Sequence, residues 1–303
     1  MERLIALHHQ LAPGEGIIQS VLEDVRLIRS TRPTTKKAPA LYDPCINIIL
    51  QGCKRIYLGD EVLEWNAQRY LVVSVPMPFT STTDASEEQP FQAISIRIDR
   101  TTLADLMFVI DQSENELPAM PKGMMTTPLD TRLKETIERL LEAMSSPLDA
   151  RVLGPSIVRE ICYRVLLGEQ GAAMRAALTS QGKFGQIAKA LRRIHADYAA
   201  NIDVGMLAAE ANMSVPAFHV HFKSVTHVSP IQYLKSARLH QARLLMIRNQ
   251  LTAQAAAAQV GYESPSQFSR EFKRFFGRSP GEEADYMRRV LTVTPSEMIA
   301  RLP

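Results

Sequence analysis

The sequence predicts an α+β protein of two domains, an antiparallel β-barrel with packed helices followed by an all-helical domain. Its 303 residues are about twice the length of a typical domain. Short β-branched and aromatic runs lie between residues 41 and 99, and a helical pattern that repeats itself follows residue 183. These three observations give the fold class.

Four segments between residues 41 and 99 have the composition of β-strands, and Gly, Pro, Asp and Asn interrupt them. They are LYDPCINIILQG, CKRIYLGDEVLEW, RYLVVSVP and FQAISIRID. Such a succession of short strands predicts a small antiparallel barrel or sandwich. In the last segment Ile94, Ile96 and Ile98 alternate with Ser95 and Arg97, so we expect one buried face and one exposed face.

From Thr101 to about Ser180 the pattern is helical. The segment TRLKETIERLLEAM predicts an amphipathic helix with Leu133, Ile137, Leu140, Leu141 and Met144 on its apolar face. The segment GPSIVREICYRVLLGE predicts a second helix that begins at Pro155 and ends at Gly168. This helix either packs on the barrel as a surface helix or pairs with its copy in a second subunit. The small and polar residues that follow it predict a domain boundary at 169–183.

The two halves differ in charge. Residues 183–290 hold 15 Lys and Arg against 8 Asp and Glu, whereas residues 1–182 hold 19 against 23. The C-terminal half therefore favours a polyanionic partner. No apolar run approaches the roughly 20 residues that span a bilayer, and the first residues lack a signal-peptide pattern. We expect a cytoplasmic protein without a membrane partner.

The sequence offers little to metal or covalent chemistry. Cys45, Cys53 and Cys162 form no CxxC pair and are odd in number, which suits a reducing compartment. His219 and His221 lie about 200° apart around a helix, so they do not predict a metal site. No catalytic triad, phosphate loop or carboxylate pair stands out, and we expect no enzymatic activity, cofactor or metal.

An internal repeat organises the C-terminal half. Residues 212–230, NMSVPAFHVHFKSVTHVSP, align with residues 262–280, YESPSQFSREFKRFFGRSP. The identical pairs are Ser214 and Ser264, Phe218 and Phe268, Phe222 and Phe272, Lys223 and Lys273, Ser229 and Ser279, and Pro230 and Pro280. An alanine-rich helical segment precedes each copy, so the repeat unit is helix, tight turn, helix.

The second copy separates apolar and basic residues onto different faces of one helix. Phe268, Phe272, Phe275 and Phe276 form an apolar stripe, and Arg270, Lys273 and Arg274 form a basic face. Ser264 is placed to cap the helix before Pro265, and Gly261 suits the tight turn. This is the plan of a helix-turn-helix, whose second helix enters a DNA major groove. A core helix with a solvated basic face is the alternative, which the second copy makes less favourable.

The segment PIQYLKSARLHQARLLMIRN between the copies predicts one linking helix of about 19 residues, or about 28 Å. That length approaches the roughly 34 Å turn of DNA. The two recognition helices of one chain are therefore expected to meet successive major grooves on one side of the duplex.

The segments SPIQYLKSARLHQARLLM and AAAAQVGYESPSQFSREFKRFFGRSP resemble the linker helix and second helix-turn-helix of the AraC/XylS transcription regulators. More loosely, LYDPCINIILQGCKRIYLGDEVLEW and YLVVSVPMPF resemble the cupin-like N-terminal domain of one branch of that family. The resemblance implies a sensing and dimerisation domain at 1–180, a DNA-binding domain at 184–290 and a tail at 291–303. It implies promoter DNA as a partner, and also a small-molecule effector, a homodimer, and RNA polymerase if the protein is an activator.

Carried over by position, the resemblance implies that Arg270 reads a base in the second recognition helix. The other expected DNA contacts there are Ser266, Gln267, Lys273 and Arg274. In the first recognition helix they are Pro216, Ala217, His219, Val220 and Lys223. Val220 departs from the family pattern, because many members carry arginine at this position. Its side chain cannot donate a hydrogen bond, so we expect that half-site to be read more by DNA shape.

The role of the N-terminal domain stays open between three functions. A sensor would line an effector site with inward strand residues, for which the candidates are Ile48, Leu50, Tyr57, Trp65, Val73 and Phe91. The alternative is that these six residues belong to the hydrophobic core and bind no effector. A metal-dependent cupin enzyme needs a histidine cluster on its strands, yet no histidine lies between His9 and His195. In the third alternative the barrel has only a structural role, and the protein binds DNA constitutively.

Overall fold

A computed structural model of the protein describes residues 1–110, 121–179 and 182–291. Strands occupy its N-terminal part, and the described residues from Thr131 onward with regular structure are helical. The expected α+β architecture is confirmed. The predicted tail at 291–303 lies, apart from its first residue, outside the described residues, and so do residues 111–120 of the N-terminal domain.

The strands form two antiparallel sheets in the described part of the chain. The strands are β1 (Gly16–Gln19), β2 (Val25–Ser30), β3 (Thr34–Tyr42), β4 (Cys45–Gln51), β5 (Cys53–Leu58), β6 (Glu61–Asn66), β7 (Arg69–Val73), β8 (Met77–Asp84), β9 (Phe91–Arg97) and β10 (Met124–Pro128). One sheet has the order β1-β2-β9-β4-β7-β10 and the other β3-β8-β5-β6. The hydrogen-bonded ladder is thus interrupted between the sheets, and the arrangement is the sandwich alternative rather than a closed barrel.

Strand β4 is covered on both faces, which explains its continuous apolar run. Ile46, Ile48 and Leu50 face the layer of N-terminal helices, whereas Cys45 and Ile49 face the second sheet. A strand buried on both sides reads as an unbroken hydrophobic segment, so the sequence does not show which residue faces which layer. The alternation expected in 94–98 is confirmed, since the three isoleucines are buried and Arg97 is exposed.

Five helices are described around this sandwich: α1 (Glu2–Leu11), α2 (Arg100–Ile110), α3 (Thr131–Met144), α4 (Pro147–Leu167) and α5 (Gly171–Thr179). Helix α3 has the predicted bounds and buries the predicted apolar face. Its N-terminus is capped because the Asp130 Oδ1 accepts a 2.8 Å hydrogen bond from the Leu133 amide. Helix α5 lies within the predicted boundary segment, where Ala172, Met174 and Ala177 are buried.

Helix α4 begins earlier than the sequence predicted. Pro147 occupies its first turn and the Ser146 hydroxyl caps it, so Pro155 lies inside the helix and the predicted start at Pro155 was wrong. Proline removes one helical hydrogen bond, but tertiary packing sustains the helix across it. Gly154 contacts Leu22 so closely that an added Cβ would lie 2.7 Å from the Leu22 Cδ2. A local sequence pattern does not reveal this contact, because Leu22 lies far from Gly154 in the chain.

Seven further helices are described in the C-terminal part: α6 (Gly182–Ala196), α7 (Val204–Glu210), α8 (Val215–Thr226), α9 (Pro230–Arg248), α10 (Ala253–Gln259), α11 (Pro265–Phe276) and α12 (Pro280–Leu291). The pairs α7/α8 and α10/α11 are the two predicted helix-turn-helix units, and α9 is the predicted linking helix. None of the described helices combines the length and apolar character needed to cross a membrane.

The two helix-turn-helix units differ in how they are packed. Phe218, Phe222 and Tyr233 of the first unit share one core with Val75 and Met77 of the N-terminal sheets. The second unit has its own core, built on Phe268, Phe272, Phe276 and the alanines of α10. The first unit therefore shares the core of the N-terminal domain, whereas the second unit has a core of its own.

Candidate nucleic-acid interface

The helices α8 and α11 begin with the same capping arrangement. The Ser214 Oγ accepts from the Ala217 amide at 3.4 Å, and the Ser264 Oγ accepts from the Gln267 amide at 3.2 Å. A proline follows each unit's capping serine within the first helical turn, where its missing N–H has no helical partner to lose. The two recognition helices therefore begin with the same local geometry.

Matching phenylalanine pairs hold the two helices against their units. The Phe218 and Phe222 ring centroids lie 5.3 Å apart, and those of Phe268 and Phe272 lie 5.4 Å apart. All four side chains are fully buried. Since these rings occupy successive turns, they fix which face of each helix points away from the core.

The C-terminal ends of the two helices also correspond. His227 after α8 and Gly277 after α11 both adopt the left-handed conformation, with φ of 61° and 78°. Their amides donate to the carbonyl oxygens of Lys223 and Lys273 at 2.8 Å. The sequence repeat thus corresponds to a structural repeat that extends from the N-terminal cap to the C-terminal cap of α8 and α11.

Glycine is required at the turn before α11. Gly261 has φ of +82°, and a Cβ at this position would lie 2.6 Å from the carbonyl oxygen of Ala199. The turn therefore packs against the backbone of the segment between α6 and α7. The predicted permissive turn is confirmed, and the close contact adds a second reason for glycine.

The outward face of α11 carries the predicted DNA-contacting residues. Those exposed are Ser266, Gln267, Arg270, Lys273 and Arg274. Within the described residues, the three cations form no ion pair with a carboxylate. Their charges are therefore available to a phosphate backbone.

Glu271 connects the same helix to its surroundings, and no sequence motif pointed to this role. It accepts hydrogen bonds from the Gln267 side-chain Nε2 at 3.2 Å and from the Tyr262 hydroxyl at 2.9 Å, and it pairs with Lys235 of α9 at 3.4 Å. Burial opposes ionisation, but these donors and the lysine charge together hold the pKa of Glu271 below its usual value. Glu271 thus ties α11 to the turn and to the linking helix.

The outward face of α8 is less basic. Pro216, Val220 and Lys223 are exposed, whereas Ala217 and His219 are half-buried. Val220 is 67% exposed, so an apolar side chain stands at the middle of this face. Around His219, His221 and His227, as elsewhere in the described part of the chain, the structure contains no group of three or more metal-ligating side chains.

Basic side chains of the linking helix α9 form hydrogen bonds and ion pairs with neighbouring elements. Arg238 donates to the carbonyl oxygens of Tyr198 and Ala200 at 2.8 and 2.9 Å. Arg243 pairs with the buried Glu283 of α12 at 3.3 Å, and Arg278 pairs with the same carboxylate at 3.0 Å. Arg238 and Arg243 therefore bind the segment before α7 and helix α12 rather than extending the DNA-facing surface.

The six candidates for an effector lining do not share one surface. Trp65, Val73 and Phe91 lie in the core between the two sheets, and the Trp65 and Phe91 rings make an edge contact at 6.4 Å. Ile48 and Leu50 are on the opposite face of their sheet, against the helices. Tyr57 is half-buried, with the Lys37 ammonium 3.9 Å from its ring centroid.

Family comparisons divide the chain in the same way. Residues 21–173, half of the chain, match the family described as AraC-type transcriptional regulator N-terminus. Residues 207–289 match a family described as a helix-turn-helix domain.

Two curated relatives are similar to part of the chain. The HTH-type transcriptional regulator AlkR of Acinetobacter baylyi is 39% identical over 95 residues, which are 31% of this chain and 31% of that protein. The RCS-specific HTH-type transcriptional activator RclR of Escherichia coli is 37% identical over 92 residues, 30% of this chain and 31% of that protein. The chain thus spans about a third of the length of these relatives.

Among solved structures, ToxT of Vibrio cholerae with a bound unsaturated fatty acid superimposes with a TM-score of 0.58 at 14% identity. The match covers 85% of this chain and 94% of that one. At this identity the likeness shows the fold, and it extends over both domains.

Proposed function

Because the chain belongs to the AraC-type transcriptional regulators, we propose that it binds promoter DNA sequence-specifically and regulates transcription without enzymatic activity. The DNA-binding domain in this proposal is residues 184–290. Residues 1–180 form the sensing domain, and the protein acts in the cytoplasm. The observation that carries the proposal is the repeated unit whose second copy presents, on the outward face of α11, three cations that form no ion pair with any described carboxylate.

The linking helix supports binding to successive major grooves. Helix α9 has 19 residues, so it is about 28 Å long, close to the roughly 34 Å turn of DNA. Lys235 pairs with α11, Arg238 bonds to the segment before α7, and Arg243 pairs with α12, so α9 is held along its length. A rigid spacer of this length would let one chain contact two grooves.

The two recognition helices have different tasks in this proposal. Arg270 reads a base with Ser266 and Gln267 beside it, while Lys273 and Arg274 bind phosphate. On α8, Pro216, Ala217, His219 and Lys223 contact the backbone and groove edge, and Val220 at most contacts a thymine methyl group. The second unit therefore contributes more of the sequence preference.

A small-molecule effector and a dimer complete the proposal. The ToxT structure contains a bound small molecule, which supports an effector-binding N-terminal domain here. Helix α4 exposes an apolar stripe at helical spacing, formed by Leu148, Val152, Tyr163 and Leu167. We assign this stripe to pairing with a second copy, and contact with RNA polymerase follows if the protein activates transcription.

Genome-wide mapping of bound sites followed by footprinting of the purified protein tests the DNA-binding function. At controlled salt we expect two protected patches whose centres lie about one helical turn, roughly 10 base pairs, apart. Protection that spreads evenly over unrelated fragments would contradict sequence-specific binding.

Light scattering tests the dimer with a matched pair of variants. Val152→Glu places a charge on the α4 stripe and is expected to give monomers. Val62→Glu, at a comparably exposed valine of β6, is expected to leave the dimer intact. Equal masses for wild type and Val152→Glu would remove α4 from the interface.

A further inference from the structure

The first recognition helix presents apolar side chains at the positions where the second presents hydrogen-bonding ones. On the outward face of α8, Pro216 and Ala217 lie four and three positions before Val220, so all three side chains share that face. Fifty residues later, the equivalent residues of α11 are Ser266, Gln267 and Arg270. The N-terminal half of this face on α8 therefore carries no side-chain hydrogen-bond donor, in contrast to α11.

The structural repeat places Val220 where Arg270 stands in the second unit. Each residue follows its capping serine by six positions, and follows a fully buried phenylalanine, Phe218 or Phe268, by two. The cap fixes where the helix starts, and the phenylalanine fixes which side is buried. Val220 and Arg270 therefore leave their helices in equivalent directions, and Val220 occupies the position of a base-reading side chain.

The side chain of Val220 is open to a DNA groove, since 67% of it is exposed. The N-terminal domain packs against the other end of α8. A Cβ at Gly123 would lie 3.0 Å from the Val225 carbonyl oxygen, and one at Gly59 would lie 3.8 Å from the His227 Cβ. These contacts hold the C-terminal end of the helix and leave the outward face near its N-terminus uncovered.

The major groove offers an apolar side chain at this position one matching group. Early residues of a recognition helix meet base edges, which present hydrogen-bond donors and acceptors apart from the C5-methyl group of thymine. The two methyl groups of Val220 can pack on that group, which removes apolar surface of both partners from water. Lys223, exposed one turn later on the same face, supplies a phosphate contact beside it.

We propose that Val220 is a specificity-determining residue that reads the C5-methyl group of a thymine in the half-site bound by the first unit. The inference rests on the proposed function of a sequence-specific DNA-binding regulator. It adds the chemical group that this half-site must display, a methyl group at C5 of a pyrimidine in the major groove. Unmodified DNA displays that group on thymine, and 5-methylcytosine displays it on a base with different hydrogen-bonding groups.

Uracil scanning of a mapped binding site tests the methyl contact, because uracil differs from thymine only in lacking the methyl group. Each thymine of both protected patches is replaced in turn, and the affinity of the full-length protein is measured at fixed salt. We expect one thymine at which uracil weakens binding about fourfold, the loss that corresponds to one buried methyl group. At that position 5-methylcytosine is expected to bind more tightly than cytosine by a similar factor. A protected site without such a thymine would overturn the proposal.

Matched valine variants show whether Val220 is the residue that contacts this methyl group. Val220→Ala is expected to weaken binding to the thymine site about fourfold and to remove the uracil effect, because both changes break one contact. Val62→Ala, at a comparably exposed valine of β6, is expected to keep wild-type affinity and the full uracil effect. Additive losses from Val220→Ala and uracil would mean that the two groups do not touch, and would overturn the proposal.

Val220→Arg tests the same position by exchanging the group that is read. A guanidinium there can donate to the O6 and N7 atoms of guanine, as proposed for Arg270, so the preference at this base pair is expected to move from thymine toward guanine. The added charge strengthens binding to every sequence, and the measured quantity is therefore the ratio of affinities for the two bases. An unchanged thymine preference would exclude Val220 as the reader.

The same titrations separate this inference from the proposed function. Specific binding with two protected patches, but without a uracil effect that depends on Val220, would refute the methyl contact and leave the DNA-binding function standing. Equal affinity for mapped and unrelated duplexes would refute the proposed function and the inference together.

Discussion

The Tyr233 hydroxyl donates a 2.8 Å hydrogen bond to the carbonyl oxygen of Pro76, a residue 157 positions earlier in the chain. Both groups are buried, and the bond joins the linking helix α9 to the N-terminal sheets. It is the polar centre of the apolar core that the N-terminal domain shares with the first helix-turn-helix unit.

Tyr233→Phe is expected to destabilise the protein by about 1–3 kcal/mol, because it leaves the buried Pro76 oxygen and the His195 Nε2 without their shared partner. Thermal unfolding followed by circular dichroism measures the change. Tyr286→Phe, at an exposed tyrosine of α12, serves as the control and is expected to change the melting temperature little. Equal melting temperatures for wild type and Tyr233→Phe would show that the bridge does not hold the two parts together.

Arg270→Ala and Lys273→Ala are expected to weaken DNA binding in different ways. Loss of Arg270 should cost about 1–3 kcal/mol on the preferred site and relax the preference at one base position. Loss of Lys273 should weaken all sequences alike and reduce the slope of log affinity against log salt by about 1. Binding titrations over a salt series measure both effects. Sequence-independent losses of equal size would remove Arg270 from base reading.

Ser264→Ala is expected to lower the free energy of unfolding by about 1 kcal/mol, because α11 loses its capping oxygen. Ser214→Ala, the equivalent change in the first unit, should have a similar effect on α8. Ser264→Gly should cost only a few tenths of a kcal/mol, since glycine is tolerated at this position. Urea unfolding of the three variants checks the order, and an alanine variant as stable as wild type would argue against the cap.

Glu283→Gln is expected to destabilise the C-terminal part by about 3 kcal/mol. The carboxylate is almost fully buried between Arg243 and Arg278, and its removal leaves the largely buried Arg243 without a counter-charge. Urea unfolding compares this variant with Glu263→Gln, at an exposed glutamate before α11. A loss no greater than that of Glu263→Gln would mean that the buried ion pair adds no stability.

We expect the free energy of unfolding to fall in mild acid because of the buried His8. Burial lowers its pKa to about 4, and its Nε2 bonds to the Ala93 carbonyl oxygen at 3.1 Å. The unfolded chain binds the proton near its ordinary pKa of 6.5, before the folded chain does. The contribution of His8 is therefore complete above pH 6.5 and falls by up to about 1.4 kcal/mol per pH unit as the pH drops toward 4.

Urea unfolding between pH 7.5 and pH 4.5 compares wild type with His8→Gln, which keeps an N–H donor for Ala93. His195 and His240 also have lowered pKa values, but they are present in both proteins and cancel in the difference. Wild type is expected to lose more stability than the variant as the pH falls. Parallel curves would show that His8 does not titrate in this way.

Features that depend on residues close together in the chain could be predicted from the sequence. The Ser214 and Ser264 caps, the buried phenylalanine pairs and the length of α9 were all predicted, because helical period and capping act over a few residues. The family also followed from local motifs in the repeat. The outward positions on α8 and α11 were predictable for the same reason.

Features that depend on residues far apart in the chain could be identified only in the folded protein. It placed Pro155 inside α4, put Ile48 on the helix-facing side of its sheet, and brought Arg243 and Arg278 to one buried carboxylate. A strand covered on both sides carries no alternation from which its orientation could be read. Which layers meet and which charges become neighbours is fixed by the packing of the whole chain, and no local pattern encodes it.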